Sequence, residues 1–204
     1  MNKFLTDKVN NLAPSATLAM AAKARELKSK GVDIIGLSLG EPDFNVPEFI
    51  KEAAVKAIND NYNSYTPVDG YSDLKNAISR KFLRDNNLNY KSSQIVVSTG
   101  AKQSIANVIE AMINHGDEVI LLAPFWVSYS AMIEICGGVP VVVQSDIDSN
   151  FKVPASKIKD NISPKTKMII VNSPNNPSGS LYNEMELRAI AEMLKDHPGI
   201  FILS

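Results

Sequence analysis

The chain has 204 residues, of which 45% are hydrophobic and 21% charged, and its formal net charge is -1. These values are typical of a globular protein with a sizeable core, and the charge balance gives no indication of binding to nucleic acid or to an anionic membrane. The single cysteine, Cys136, excludes an internal disulfide, and because there is neither a ~20-residue apolar run nor an N-terminal signal core, we expect a cytoplasmic protein.

Helical and strand patterns alternate along the chain. Helices are predicted over 15–30, 47–59, 74–84, 101–113, 128–136 and 184–194, and strands over 34–39, 94–98, 118–122, 139–143, 168–171 and 200–203. Most of these strands are unbroken apolar runs, which favours an α/β fold with a mainly parallel sheet and helices on both faces. The alternation becomes regular after residue 45, so we interpret 1–45 as an arm and part of a small domain, and 46–204 as a large domain.

Four short motifs follow or end predicted strands. They are Gly40-Glu41-Pro42-Asp43-Phe44, Ser98-Thr99-Gly100-Ala101-Lys102-Gln103, Pro124-Phe125-Trp126 and Asn175-Asn176-Pro177-Ser178-Gly179. Each alone is compatible with an ordinary turn or, at Trp126, with a side chain that only packs. Because ligands of open α/β sheets bind beyond the carboxyl ends of the strands, the four motifs together predict one ligand crevice.

The motifs also suit particular ligand groups. Gly40 has no Cβ, so its backbone can approach a ligand closely. Free N–H groups where a helix begins after Gly100 favour a phosphate, although the segment is neither a dinucleotide fingerprint nor a P-loop. The only tryptophan, Trp126, can stack on a heteroaromatic ring. The carboxamide of Asn176 can donate to a phenolate or a carboxylate.

The order and spacing of these motifs, with Tyr65 and Gly70 between the first two, resemble the signatures of class I aminotransferases of fold type I. The subgroup that they resemble is that of bacterial aspartate aminotransferases, some of which also act on prephenate. The resemblance implies a homodimer that binds pyridoxal 5'-phosphate. It also implies transfer of an amino group between aspartate, or another dicarboxylic amino acid, and 2-oxoglutarate by a ping-pong aldimine mechanism. A lyase on the same scaffold is a related alternative.

The same resemblance implies which residues bind the cofactor. Gly100, Ala101 and Lys102 would lie at its phosphate, mainly through backbone N–H groups. Trp126 would stack on the pyridine ring. Tyr65 would reach the phosphate held by the partner subunit, so the site would be shared across the homodimer.

A partly overlapping set is implied at the substrate. It consists of Gly40, Trp126, Asn176, Lys102, Ser15 and Thr17. Asn176 would bind the phenolic oxygen of the cofactor beside the substrate carboxylate, which the backbone of Gly40 approaches. Lys102, with Ser15 and Thr17 nearby, would bind the acidic side chain of the substrate. The alternative for Lys102 is a solvated lysine in the first turn of a helix.

The resemblance further implies cis peptide bonds at Ala123–Pro124 and Asn176–Pro177. In the resembled family, an Asp-Glu-x-Tyr segment, the Schiff-base lysine and two substrate arginines come after the position of Ser204. We therefore expect this chain to be an N-terminal portion that is inactive and has no catalytic residue of its own. A non-catalytic module that binds a ligand or a partner, derived from the same fold, remains the alternative.

No metal site is expected, because no cluster of His, Cys and Asp has the spacing of metal ligands. His115 and His197 are interpreted as structural residues. The partners that we expect are a small amino acid and a 2-oxo acid, with no nucleic acid and no membrane. The choice among aspartate, prephenate and aromatic substrates stays open, since the matching arginines come after Ser204.

Overall fold

The computed structural model describes residues 3–37, 39–40 and 42–204. Its helices are α1 (Asp7–Asn10), α2 (Ala16–Ser29), α3 (Glu48–Asn59), α4 (Ser72–Asn86), α5 (Ala101–Met112), α6 (Ser128–Ile135), α7 (Ala155–Lys159) and α8 (Glu184–Leu194). Its strands are β1 (Glu118–Leu122), β2 (Val139–Val143), β3 (Thr166–Ile170) and β4 (Phe201–Leu203), and a 3₁₀ turn spans Ser92–Gln94. None of the helices in these ranges is long and apolar enough to cross a bilayer.

The described residues form two compact units. One contains those up to Met20 together with Ile105–Ser204, and the other contains those of Ala21–Ser104. The sheet belongs entirely to the first unit, and α5 begins in the second unit and continues into the first. The assignment of 1–45 to an arm and small domain, and of 46–204 to a large domain, stays a prediction.

The four strands form one parallel sheet in the order β2-β1-β3-β4. Strand β1 lies in its interior, where Ile120 is paired with Val141 on one side and with Ile169 on the other. Because all strands run in the same direction, their carboxyl ends lie at one edge of the sheet, and the loops that follow them begin there.

Successive side chains of β1 enter two different cores, because neighbouring residues of a strand point to opposite faces. Ile120 and Leu122 belong to a buried cluster formed with α7 and α8, whose other members are Val143, Val153, Ile158, Ile169, Val171, Ile190 and Leu194. Val119 and Leu121 belong to a second cluster, formed with α5 and α6, whose other members are Ile109, Ile113, Tyr129, Ile133, Met168 and Ile170. The predicted fold class, a parallel sheet with helices on both faces, is therefore confirmed.

Two of the predicted strands are wrong. In the first, 34–37 and Leu39 have irregular backbone, and Ser38 lies outside the described residues. The second, 94–98, starts at the last residue of the 3₁₀ turn and continues as irregular backbone. Neither segment is paired in the sheet that the described residues form, and an apolar run needs a neighbouring strand to complete its hydrogen bonds.

The remaining predicted elements are confirmed, and their bounds differ from the predicted ones by at most two residues. The structure adds α1, α7 and the 3₁₀ turn, which the sequence did not predict. These elements contain three to five residues each. Such a length is about one helical turn, and one turn carries no recognisable apolar periodicity.

Within the second unit, one ion pair attaches the loop before α4 to that helix. Lys75 is only 8% exposed, and its ammonium contacts the carboxylate of Asp69. The backbone N–H of Val97 donates to Asp69 O at 3.1 Å. At Gly70 φ is +96°, and a Cβ would lie 2.7 Å from Val97 Cγ2, so only glycine permits this approach. The same loop carries Tyr65.

Because β1 is buried on both faces, shortening one of its side chains should lower the stability of the fold substantially. Ile120→Ala is expected to lower the free energy of unfolding of the full-length protein by about 2–5 kcal/mol, because the variant loses buried contacts and leaves a cavity. Ile147→Ala is the matched control, since that side chain is 75% exposed, and it should change stability by less than about 0.5 kcal/mol. Denaturant titration followed by circular dichroism measures both. Equal losses would contradict the placement of Ile120 in the core.

The Asp69–Lys75 pair predicts an asymmetric response to substitution. Asp69→Asn should lower the thermal midpoint more than Lys75→Met, because the first leaves a buried ammonium without its carboxylate and the second removes the charge. Lys56→Met, which removes the exposed ion pair between Lys56 and Asp60, should have little effect. Thermal unfolding of the four proteins at pH 7 gives the ranking, and the reverse order for Asp69 and Lys75 would disprove it.

The same pair predicts a dependence on pH. The hydrogen bond from Lys75 holds the pKa of Asp69 below its ordinary value. A lowered pKa in the folded state stabilises the protein fully above the ordinary aspartate pKa of about 3.9, and this stabilisation is lost as the pH falls through the folded value. The midpoint difference between wild type and Asp69→Asn should therefore shrink below pH 4. A difference that persists undiminished at pH 3 would contradict this coupling.

Candidate functional site

Two neighbouring loops begin at the carboxyl edge of the sheet. The loop 123–127 follows β1 and carries Trp126, and the loop 171–183 follows β3 and carries Asn176. Because β1 and β3 are paired in parallel, the loops leave the sheet side by side. Both lie in the first unit, so their geometry can be described together.

Both loops contain cis peptide bonds. The Ala123–Pro124 and Asn176–Pro177 bonds are cis, as predicted. A third cis bond, Ser173–Pro174, was not predicted. The family resemblance therefore identified two of the three proline positions at which these loops have cis geometry.

Trp126 is held at the border of the core. Its ring meets that of Tyr129 edge-on, with 5.5 Å between ring centroids and 86° between ring planes. Tyr129 is buried, and burial raises the pKa of its hydroxyl. The indole packs against the core cluster of α5 and α6 but remains partly accessible. It thus combines a supported ring with an accessible surface, which a stacking ligand requires.

Asn175 joins the two loops. Its Nδ2 donates to Pro124 O at 3.0 Å. Its Oδ1 accepts from the N–H of Ser178 at 3.2 Å and from the hydroxyl of Ser178 at 2.9 Å. Its backbone N–H donates to Ser180 O at 3.0 Å, and its carbonyl accepts from Gly179 N at 2.8 Å. Nothing in the sequence indicated this role for Asn175.

Asn176 differs from Asn175 in its hydrogen bonds and in its exposure. Its backbone N–H donates to Asn172 Oδ1 at 2.8 Å, which fixes the main chain at this point. The residue is exposed. Within the described ranges, no group hydrogen-bonds its carboxamide. The carboxamide can therefore donate to an oxygen atom of a ligand without first losing a partner among the described residues.

The start of α5 lies in the second unit. Gly100 has φ +85°, and a Cβ there would meet nothing within 4 Å, so its backbone conformation is what favours glycine. The N–H of Thr99 donates to Gln103 Oε1 at 2.6 Å. The first turn contains no acidic side chain, and Ala101 and Lys102 are exposed there. The N–H of Gly100 donates to Ser98 O at 2.8 Å, and those of Gln103 and Ser104 donate to Gly100 O at 3.2 and 3.4 Å. The positive end of the helix dipole at this turn favours an anion.

The other predicted site residues have diverse surroundings. Gly40 and the ring of Tyr65 are exposed, and Glu41 of the first motif lies outside the described residues. The hydroxyl oxygen of Ser15 accepts a long hydrogen bond, 3.4 Å, from Leu18 N, as the N-cap of α2 does. Thr17 is half-buried. None of these contacts requires or excludes a ligand.

The predicted crevice draws on both units. Gly40, Gly100 and Lys102 belong to the second unit, whereas Trp126 and Asn176 belong to the first. That these five residues line one crevice stays a prediction. In the parts of the chain that the structure describes, no group of three His, Cys, Asp or Glu side chains is arranged to hold a metal ion.

A cavity of about 300 Å³ in the first unit contains none of the predicted site residues. It is lined by Ser149, Lys152, Val153, Pro154, Ala155, Tyr182, Glu186 and Ala189. Its two charged side chains, Lys152 and Glu186, form an ion pair with each other, and the hydrogen bond from Lys152 lowers the pKa of Glu186. The cavity therefore presents no uncompensated charge to a ligand.

Sequence comparison identifies relatives over almost the whole chain. The sequence model of the family described as aminotransferase class I and II matches residues 32–204. A probable aspartate/prephenate aminotransferase from Rickettsia bellii is 48% identical over 201 residues, which is 98% of this chain and 50% of the relative. The aspartate aminotransferase of Bacillus subtilis is 46% identical over 193 residues, 95% of this chain and 49% of the relative. The chain thus spans about half the length of the curated relatives that it matches.

Solved structures agree with this assignment. The crystal structure of the aspartate aminotransferase from Rhizobium meliloti matches with a TM-score of 0.93 at 40% identity, over 97% of this chain and 50% of that chain. The structure of the Thermus thermophilus aspartate aminotransferase with maleate also matches with a TM-score of 0.93 at 40% identity. The match covers 98% of this chain and 52% of that chain. The alanine aminotransferase from Pyrococcus furiosus matches with a TM-score of 0.91 at 27% identity, over 97% of this chain and 51% of that chain. The architecture is that of fold type I aminotransferases, and the chain belongs to the class I and II aminotransferases, a family of pyridoxal-phosphate-dependent transferases.

Proposed function

We propose that the full-length protein binds pyridoxal 5'-phosphate and transfers an amino group between aspartate, or another dicarboxylic amino acid, and 2-oxoglutarate. The observation that carries the proposal is the placement of Trp126 and Asn176 on loops that leave two adjacent parallel strands. Relatives named aspartate aminotransferase support the choice of substrate.

The groups that the described residues offer at the carboxyl ends of the strands and at the start of α5 fit this cofactor. Trp126 offers a partly accessible ring to a pyridine ring. Asn176 offers a carboxamide that no described residue bonds, which suits a phenolic oxygen. The first turn of α5, which begins after Gly100, offers backbone N–H groups and no acidic side chain, which suits a phosphate.

Bound pyridoxal phosphate supplies the electron sink that stabilises negative charge at the α-carbon of an amino acid. The residues of this chain bind and orient. Trp126 sets the plane of the ring, and Asn176 favours the ionised phenolic oxygen by donating to it. The segment from Gly100 to Lys102 would hold the phosphate at the start of α5, where the N–H of Gly100 donates to Ser98 O in this structure. Proton transfer is not assigned to any residue of this chain.

Selection of an acidic substrate is assigned to Lys102, and the same family resemblance adds Ser15 and Thr17 to this role. The side chain of Lys102 is exposed at the start of α5 and positively charged, so it suits the distal carboxylate of aspartate. The structure of the Thermus thermophilus relative contains maleate, which is a dicarboxylate. That similarity supports a substrate with two carboxylates. Gly40 and Asn176 are assigned to the other carboxylate of the substrate.

The proposal includes a homodimer in the cytoplasm, with no nucleic-acid or membrane partner. Tyr65 reaches the phosphate bound by the partner subunit. Its fully exposed ring supports this role, because the side chain is not committed to packing within its own unit. The single cysteine agrees with a reducing compartment.

Lys102→Ala tests the substrate assignment. A hydrogen bond to a charged group is worth about 1.5–3 kcal/mol, so kcat/KM for aspartate with 2-oxoglutarate should fall about ten- to a hundredfold in the full-length enzyme. The value for alanine, which has no distal carboxylate, should fall much less. Steady-state assays with both amino acids measure the difference. Equal losses would assign Lys102 to the phosphate instead, and absence of transamination by the wild type would refute the proposed function.

A further inference from the structure

We propose that Asn175 is a positioning residue that holds Trp126 and Asn176 in their mutual arrangement by linking the loops that carry them. The inference rests on the proposed function, since the cofactor is the ligand that both loops would contact. Asn175 itself touches neither the cofactor nor the substrate in this proposal. It acts through its two neighbours.

The connection between the loops is short and direct. Asn175 Nδ2 donates to Pro124 O at 3.0 Å, across 51 positions of sequence. Pro124 lies two residues before Trp126, and Asn175 immediately precedes Asn176. A single side chain therefore couples the main chain at one proposed cofactor contact to the main chain at the other. A displacement of one loop relative to the other would lengthen or break this hydrogen bond.

The carbonyl oxygen of the Asn175 carboxamide makes hydrogen bonds within its own loop. Oδ1 accepts from the N–H and the hydroxyl of Ser178, and the hydroxyl of Ser178 in turn accepts from Ser180 N at 3.2 Å. Ser180 Oγ donates to Asn150 O at 2.7 Å. The loop is thus folded around Asn175 and attached to a second segment, so the hydrogen bond to Pro124 joins two ordered structures.

The chemistry at this position requires an amide. One end faces a carbonyl and must donate, while the other end faces two donors and must accept. The reverse orientation of the carboxamide would place NH₂ against N–H and oxygen against oxygen, so the orientation is determined by its partners. An aspartate would keep the bonds to Ser178 but would place a carboxylate against the carbonyl of Pro124. Asn175→Asp therefore breaks the link between the loops selectively.

Asn161 provides a matched control. Its Nδ2 also donates to a backbone carbonyl, that of Lys157 at 2.8 Å, and the residue is likewise half-buried. It follows α7 and has no part in the proposed site. Asn161→Asp makes the same chemical change as Asn175→Asp and shows the effect of losing such a bond elsewhere in the unit.

The test uses the full-length protein loaded with pyridoxal phosphate and has two readouts that do not depend on turnover. One is the dissociation constant of the cofactor, and the other is the pH titration of its visible absorption band. Asn175→Asp should raise the dissociation constant about tenfold, the order expected for one misaligned hydrogen bond to a charged group. It should also raise the apparent pKa of the band, because Asn176 then donates less well to the ionised phenolic oxygen. Asn161→Asp should leave both unchanged.

The outcomes separate the inference from the proposed function. If the wild type binds the cofactor and Asn175→Asp matches it in both readouts, the positioning role is wrong and the proposed function stands. If both aspartate variants shift the readouts equally, the effect is general destabilisation and the inference fails. If the wild type shows no cofactor band, the proposed function fails and the inference with it. Should Asn175→Asp not fold, Asn175→Ser replaces it, since serine removes the link without adding a charge.

Discussion

Strand β1 is paired along both edges and buried on both faces, and the arrangement of the first unit depends on this double constraint. Val119 and Leu121 pack under α5 and α6, while Ile120 and Leu122 pack under α7 and α8. A shift of one residue would exchange every side chain between the two cores, so the register is strongly specified. The loops after β1 and β3 consequently leave the sheet at adjacent points, which brings their polar residues together beyond the carboxyl ends of the strands.

The sheet shows what composition can and cannot predict. The apolar runs at β1, β2, β3 and β4 were predicted within two residues of their observed bounds, because burial on two faces leaves a clear apolar signal. The runs at 34–39 and 94–98 carry the same kind of signal, but their described residues form no strand. Pairing requires a neighbour at the correct distance, and the composition of a segment contains no information about where its neighbour lies.

The site shows a similar limit at the level of single residues. Resemblance to a family indicated Trp126 and Asn176, and the structure places both on neighbouring loops. It did not indicate Asn175, although Asn175 makes more contacts than Asn176. Two adjacent asparagines in one turn have the same chemistry, and only the direction of each side chain separates them. Asn175 turns towards Pro124 and Ser178, whereas the carboxamide of Asn176 is bonded by no described residue.

The loops around Asn175 are held by carboxamides, hydroxyls and backbone carbonyls. None of these groups gains or loses a proton between about pH 3 and pH 9. Tyr182 attaches the end of the second loop to Val153 through its hydroxyl, and burial raises the pKa of that hydroxyl, so it stays neutral over the same range. These hydrogen bonds therefore do not depend on the ionisation of a side chain in the physiological range.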